Sequence, residues 1–166
     1  LTKDVITDYP TSGTPADFFD ASVLAVTTTY DGLGRVLKVT SHDDDDPEIG
    51  DDWEDAVNQI EYVYDGWGNL VLEKQEHDGA VDGNTLAVSY GYDWDDDPQT
   101  NEAAPYLRLA TVTSPTGEVA YYNYADGIDG DISRVSEIAD DDLTNEGRTR
   151  YAVYSYLGAG VIVTAE

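Results

Sequence analysis

From residue 24 onward the chain alternates apolar and polar side chains in short runs that end at glycine-rich corners. Around position 60 the pattern is plain: Ile60, Tyr62 and Tyr64 fall on one side, and Glu61, Val63 and Asp65 on the other. A period of two is that of a β-strand, whose successive side chains point to opposite faces. The pattern predicts approach strands over 24–30, 60–64, 86–92, 119–124 and 150–156. Return strands follow over 36–40, 70–76, 106–113, 132–138 and 161–164. No segment keeps a helical period, and only 52–59 offers two short helical turns. The corners Asp31-Gly32 and Asp65-Gly66 are hairpin signals, because such a turn needs a positive φ that glycine adopts without a Cβ clash. A second glycine, Gly34 or Gly68, points to a longer loop or a glycine bulge.

The runs repeat. Residues 30–40, 64–74 and 156–166 align without gaps: Tyr30, Asp31, Gly32, Gly34 and Arg35 match Tyr64, Asp65, Gly66, Gly68 and Asn69, with Leu157 in the aspartate's place in the last copy. Two further copies begin at Tyr92, which opens into an acidic insertion, and at Tyr124, which keeps Gly127 and Gly130 with extra residues. The marker tyrosines Tyr30, Tyr64, Tyr92, Tyr124 and Tyr156 lie 34, 28, 32 and 32 residues apart. Four carry a partner two places earlier: Tyr62, Tyr90, Tyr122 and Tyr154. Self-similarity at this period marks a repeat architecture. One hairpin is marginal in water, whereas five can pair side by side. The predicted fold is therefore all-β: consecutive antiparallel hairpins in one twisted, spiralling sheet over 1–166, an open strip or part of a shell. The tyrosine pairs share a face and are expected to stack from repeat to repeat.

Composition narrows the function. Against 35 acidic side chains stand 8 basic ones, a net charge of −27. Nucleic-acid binding needs a basic footprint that is missing, and an anionic membrane would repel the chain. No run of 18 apolar residues offers membrane insertion. Cysteine is absent, which removes disulfides and thiolate chemistry. The charge fits a salt-adapted, solvated surface or a load of divalent cations.

Tyr-Asp-Gly-x-Gly-Arg/Asn followed by an alternating apolar strand resembles the RHS/YD repeats, and the resemblance runs nearly the length of the chain. Leu1 to Lys3 resembles the strand that follows Gly-Arg in a preceding copy, so the chain is expected to be a piece of a larger protein. The family implies strips of hairpins that wind into a spiral, closing into a hollow shell in bacterial toxin complexes, Rhs toxins and teneurins. It implies a non-catalytic, structural role in a secreted or cell-surface bacterial protein, with further repeats or other copies as partners. Carbohydrate binding has also been attributed to such repeats. The self-cleaving aspartyl motif of the fuller pattern is missing, and five hairpins are too few to close a shell.

The acidic inserts are the candidate metal ligands. Asp44 and Asp46, Asp96 and Asp97, and Asp141 and Asp142 are hard oxygen donors suited to Ca²⁺. Adjacent aspartates on an extended chain point apart, so a site needs two neighbouring loops; otherwise these are solvated loops. Asp126 to Asp131 reads as a widened hairpin tip. His42 and His77, each before an aspartate, fit exposed loop positions better than zinc ligands. Trp67 in a tip and Trp94 at the mouth of an insert are candidate glycan-stacking residues, or covers for strand edges; Trp53 is expected to pin the 41–59 connection. No nucleophile motif or phosphate loop is present, so the chain is read as no enzyme and as needing no cofactor beyond a possible Ca²⁺.

Overall fold

The computed structural model describes residues 2–6, 23–43, 56–96, 103–124, 127–157 and 161–165. The fold is all-β, made of consecutive antiparallel strands in open sheet. The one helix among the described residues is the single turn α1 (Ile128–Asp131). The chain divides into two compact units, Leu1–Ala87 and Val88–Glu166.

In the first unit β1 (Thr2–Ile6), β2 (Ala25–Tyr30), β3 (Val36–His42), β4 (Ala56–Tyr64) and β5 (Leu70–Glu76) lie in chain order, each antiparallel to the next. In the second, β6 (Ala87–Asp96), β7 (Ala103–Thr113), β8 (Val119–Tyr124), β9 (Val135–Ala139), β10 (Arg150–Leu157) and β11 (Val161–Ala165) do the same. All ten expected strands are present. The helical expectation for 52–59 is overturned where it can be seen: 56–59 belong to β4, paired with β3, because the ladder and the alternating pattern outweigh a weak local propensity. Likewise β7 begins at Ala103 and β6 runs on to Asp96, so the strands continue past Asp93 where the other copies turn.

The five marker tyrosines share one backbone feature. Each hairpin register shifts immediately before its marker, between Thr29 and Tyr30, Val63 and Tyr64, Gly91 and Tyr92, Asn123 and Tyr124, and Ser155 and Tyr156. The extra residue always falls on the return strand: Leu37, Val71, Ala110, Ser136 and Val163. A bulge at the same place in five hairpins re-aims the strand after each tip and strengthens the local right-handed twist.

The pairings also give the step between hairpins. From Thr28 the row of paired residues runs through Val39 to Ile60, from two places before one marker to four before the next. Tyr90, Val112 and Ala120 repeat this step, and so do Tyr122, Ile138 and Ala152. Within each unit a tip thus reaches two residues beyond the one before it. With about 3.3 Å per residue and 4.8 Å per strand, the line of tips inclines roughly 35° to the rows.

The same pairings put Tyr62 and Tyr64 on one face with Val26, Tyr30, Val39 and Ile60. The opposite face carries Thr27, Lys38, Thr40, His42, Gln59, Glu61 and Lys74. Burial does not follow polarity. Among the described residues the buried apolar side chains are Ala25, Val81 and Ala139, while Thr27, Thr40, His42, Gln59, Asn123 and Glu137 are buried polar ones. Several pair with one another: His42 Nε2 shares a hydrogen bond with Thr27 Oγ1 at 2.8 Å. Gln59, fully buried, donates to Thr40 Oγ1 at 2.7 Å and accepts from the Val81 amide at 3.0 Å. The expectation of an exposed loop histidine therefore fails for His42, which ends β3 and turns inward, whereas His77 is exposed.

Candidate functional site

Two tight tips are each built around one carboxylate. In the first, the Asp31 amide donates to the Arg35 carbonyl and the Gly34 amide to the Asp31 carbonyl. Asp31 Oδ1 accepts the amides of Leu33 and Arg35, at 2.8 and 2.9 Å, and Oδ2 takes Arg35 Nε at 2.6 Å. The second tip repeats this atom for atom, with Asn69 replacing arginine: Asp65 Oδ1 accepts from Trp67 and Asn69, and Oδ2 from Asn69 Nδ2 at 2.9 Å. These bonds hold both carboxyls below the usual aspartate range, the Arg35 amide leading for Asp31 and the Asn69 side chain for Asp65. The positive φ sits on the second glycine, 83° at Gly34 and 99° at Gly68, and not on Gly32 or Gly66. The Asp-Gly reading is corrected there, and the glycine-bulge reading holds. A third tip of this form joins β7 to β8. Ser114 replaces the aspartate, Pro115 the first glycine, and Gly117 has φ 89°. Proline's fixed negative φ confirms what that first position requires.

Between hairpins a second device recurs. The hydroxyl of Tyr64 donates to the Val36 carbonyl at 3.0 Å, that of Tyr124 to Leu109 at 2.9 Å, and that of Tyr156 to Val135 at 2.6 Å. Each acceptor lies opposite the preceding marker tyrosine. The residue just before each acceptor is an arginine laid on the same ring: Arg35 at 4.4 Å from the Tyr64 centroid, Arg108 at 4.6 Å from Tyr124 and Arg134 at 4.9 Å from Tyr156. Each arginine thus clamps the next hairpin's marker (a cation–π contact of about 0.5–1 kcal/mol at an exposed site). The arms reach the next tip as well. Arg35 Nη1 lies where a Cβ on Gly68 would come within 2.9 Å, and Arg108 Nη1 donates to the Gly130 carbonyl at 3.1 Å. For these three markers the contacts to the preceding hairpin include arginine on ring and hydroxyl on carbonyl. Burial pushes the Tyr124 phenol up, with Tyr122 and Tyr156 near enough to add to it. Sequence reading missed Arg108 and Arg134, which lack the Gly-Arg corner. Their signal is an arginine followed at once by the apolar residue that pairs with the marker tyrosine.

An open groove of about 500 Å³ lies beside the first clamp. Its charges are matched: Arg35 Nη2 with Asp31 at 2.6 Å, and Glu61 between Lys38 at 4.0 Å and Lys74 at 3.6 Å.

The acidic candidates fall only in part within the described residues. Asp44, Asp46 and Asp97 lie outside the described residues, as does Trp53. Asp96 ends β6 opposite Ala103, and Trp94 stands in β6 opposite Leu107. Asp141 and Asp142 belong to the β9–β10 connection and serve it. Asp141 Oδ2 accepts from Asn145 at 2.7 Å, which holds its carboxyl below the usual range, and Asp142 Oδ1 accepts the Thr144 amide at 2.8 Å. That loop is anchored on the buried Glu137, which pairs with Arg148 and, at 2.8 Å, with Arg150. No cluster of three or more His, Asp or Glu able to hold a metal occurs among the described residues. Trp67 occupies the third turn position of its tip, 77% exposed, as Leu33 does in the first tip.

No family model matches the chain, and no curated protein matches it. No helix among the described residues is long and apolar enough to cross a membrane. What the described geometry can do is hold one hairpin to the next: tips closed by carboxylates, bulges at every marker, and clamps between successive hairpins.

Proposed function

We propose that this chain is a non-catalytic structural segment of a larger, secreted or cell-surface bacterial protein of the RHS/YD-repeat kind, working as shell wall, stalk or filament. The observation that carries the reading is the shared backbone of all five copies, a bulge at every marker tyrosine. A sheet built by identical steps extends by adding hairpins, and its natural partners are further repeats or other copies pairing at its edges. Small-angle scattering across a concentration series tests this. Particles that lengthen with concentration support it, and a compact monomer of unchanging dimensions overturns it.

A second reading rests on Trp67, a large aromatic held outward on a rigid tip. Such a ring suits stacking against a sugar. In this reading the chain is a glycan- or partner-binding module assisted by Ca²⁺ at the Asp-rich loops. Glycan-array signal lost on Trp67→Ala or on chelation supports it; a blank array with and without Ca²⁺ removes it.

A further inference from the structure

We infer that the arginine–tyrosine clamps across the two long connections, Arg35 on Tyr64 and Arg134 on Tyr156, are register keys, each fixing which residues of neighbouring hairpins face one another. A strand that slips by one residue sends its apolar set to the wrong face and is strongly disfavoured. A slip of two residues leaves every side chain on its own face, so the alternating pattern cannot exclude it. Within the first two hairpins a closed five-residue tip does so, and a third such tip, 114–118, joins β7 to β8. Two connections between hairpins are longer: residues 43–55 join β3 to β4, and 140–149 join β9 to β10. At about 3.3 Å per residue, either has chain enough to absorb a displacement of roughly 7 Å. Something else must hold those registers.

The clamp has the required selectivity. Arg35 is fixed from behind by Asp31 in its own tip, so its position is set before Tyr64 arrives. The Tyr64 hydroxyl then reaches the Val36 carbonyl while the ring lies under the guanidinium. A slip of two residues would carry the ring roughly 7 Å away and break both contacts together. Where the clamp recurs, at Tyr124 and Tyr156, the hairpin offset is the same two residues.

The chain has no cysteine, so engineered thiols report pairing without background. Lys38 faces Glu61 in the observed register. A Lys38→Cys/Glu61→Cys pair reports that register, Lys38→Cys/Val63→Cys a slip one way, and Thr40→Cys/Val57→Cys a slip the other way. With the clamp intact, mild oxidation should close only the first pair. With Arg35→Gln and Tyr64→Phe added, the first disulfide should fall several-fold and a slipped one should appear while strand circular dichroism is retained. A folded double variant that still closes only 38–61 overturns the inference. If the double variant loses its strand signal, Tyr64→Phe alone carries the test: a slipped disulfide supports the key, and pairing confined to 38–61 refutes it.

Discussion

At the scale of single residues, the two glycines of a tip are not equivalent. Gly34 and Gly68 occupy the left-handed region, whereas Gly32 and Gly66 sit where Pro115 sits in the third tip. Gly34→Ala should therefore cost upward of about 1 kcal/mol, and Gly32→Ala much less, as read from urea midpoints. Gly68→Ala should cost more than Gly34→Ala, since its methyl would also meet Arg35. Ser133, just before Arg134, holds φ 58° as a non-glycine. Ser133→Gly should raise stability by up to about 1 kcal/mol, the left-handed penalty less glycine's extra entropy. Asp-Gly was readable as a corner, but its internal wiring was not. Which glycine turns left depends on the aspartate accepting two amides at once, a contact that dipeptide preferences do not contain.

At the scale of elements, strand positions were legible because the period of two is imposed by burial on a pleated surface. The ends were less so. β4 begins four residues early and β6 runs four residues past its marker, where pairing with a neighbour extends a strand that local composition would stop. Buried polar side chains anchor two of the connections: Gln59 holds the Val81 amide, and Glu137 holds Arg148. The hydrogen bond from Arg148 is the main cause that keeps the Glu137 carboxyl below its ordinary range. A depressed acid stabilises the fold fully above its unfolded value of about 4.3, and that contribution vanishes as pH falls through the folded value. Amide protection in 140–149, taken relative to the intrinsic exchange rate at each pH, should accordingly fall as pH drops below about 4. In Glu137→Gln the loop should be looser at neutral pH and lose most of that dependence. Asp31, Asp65, Glu76, Asp82 and Asp141 shift in the same direction, so global acid unfolding sums several groups, and the single variant isolates one.

At the scale of the whole molecule, a charge of −27 opposes compaction, and few apolar side chains among the described residues are fully buried. Screening should therefore stabilise the chain: its melting temperature should rise with NaCl over the range in which the Debye length shrinks from about 30 to 8 Å. CaCl₂ at matched ionic strength separates the two readings of the acidic loops. An excess shift marks specific binding to the folded state, and a matching one marks screening alone. The repeat was visible in the sequence because its tyrosines and glycines recur. The step between hairpins was not, since it resides in pairings across connections of variable length.

Arg108 lies within β7 and Arg134 just before β9, each behind a connection that differs from the first two tips in length and sequence. The part that grips the neighbour is thus separate from the part that meets the outside. An acidic lobe or a turn of helix can be spliced into a corner without loosening the weave behind it. Diversity accumulates along the hem while the cloth keeps its count of threads.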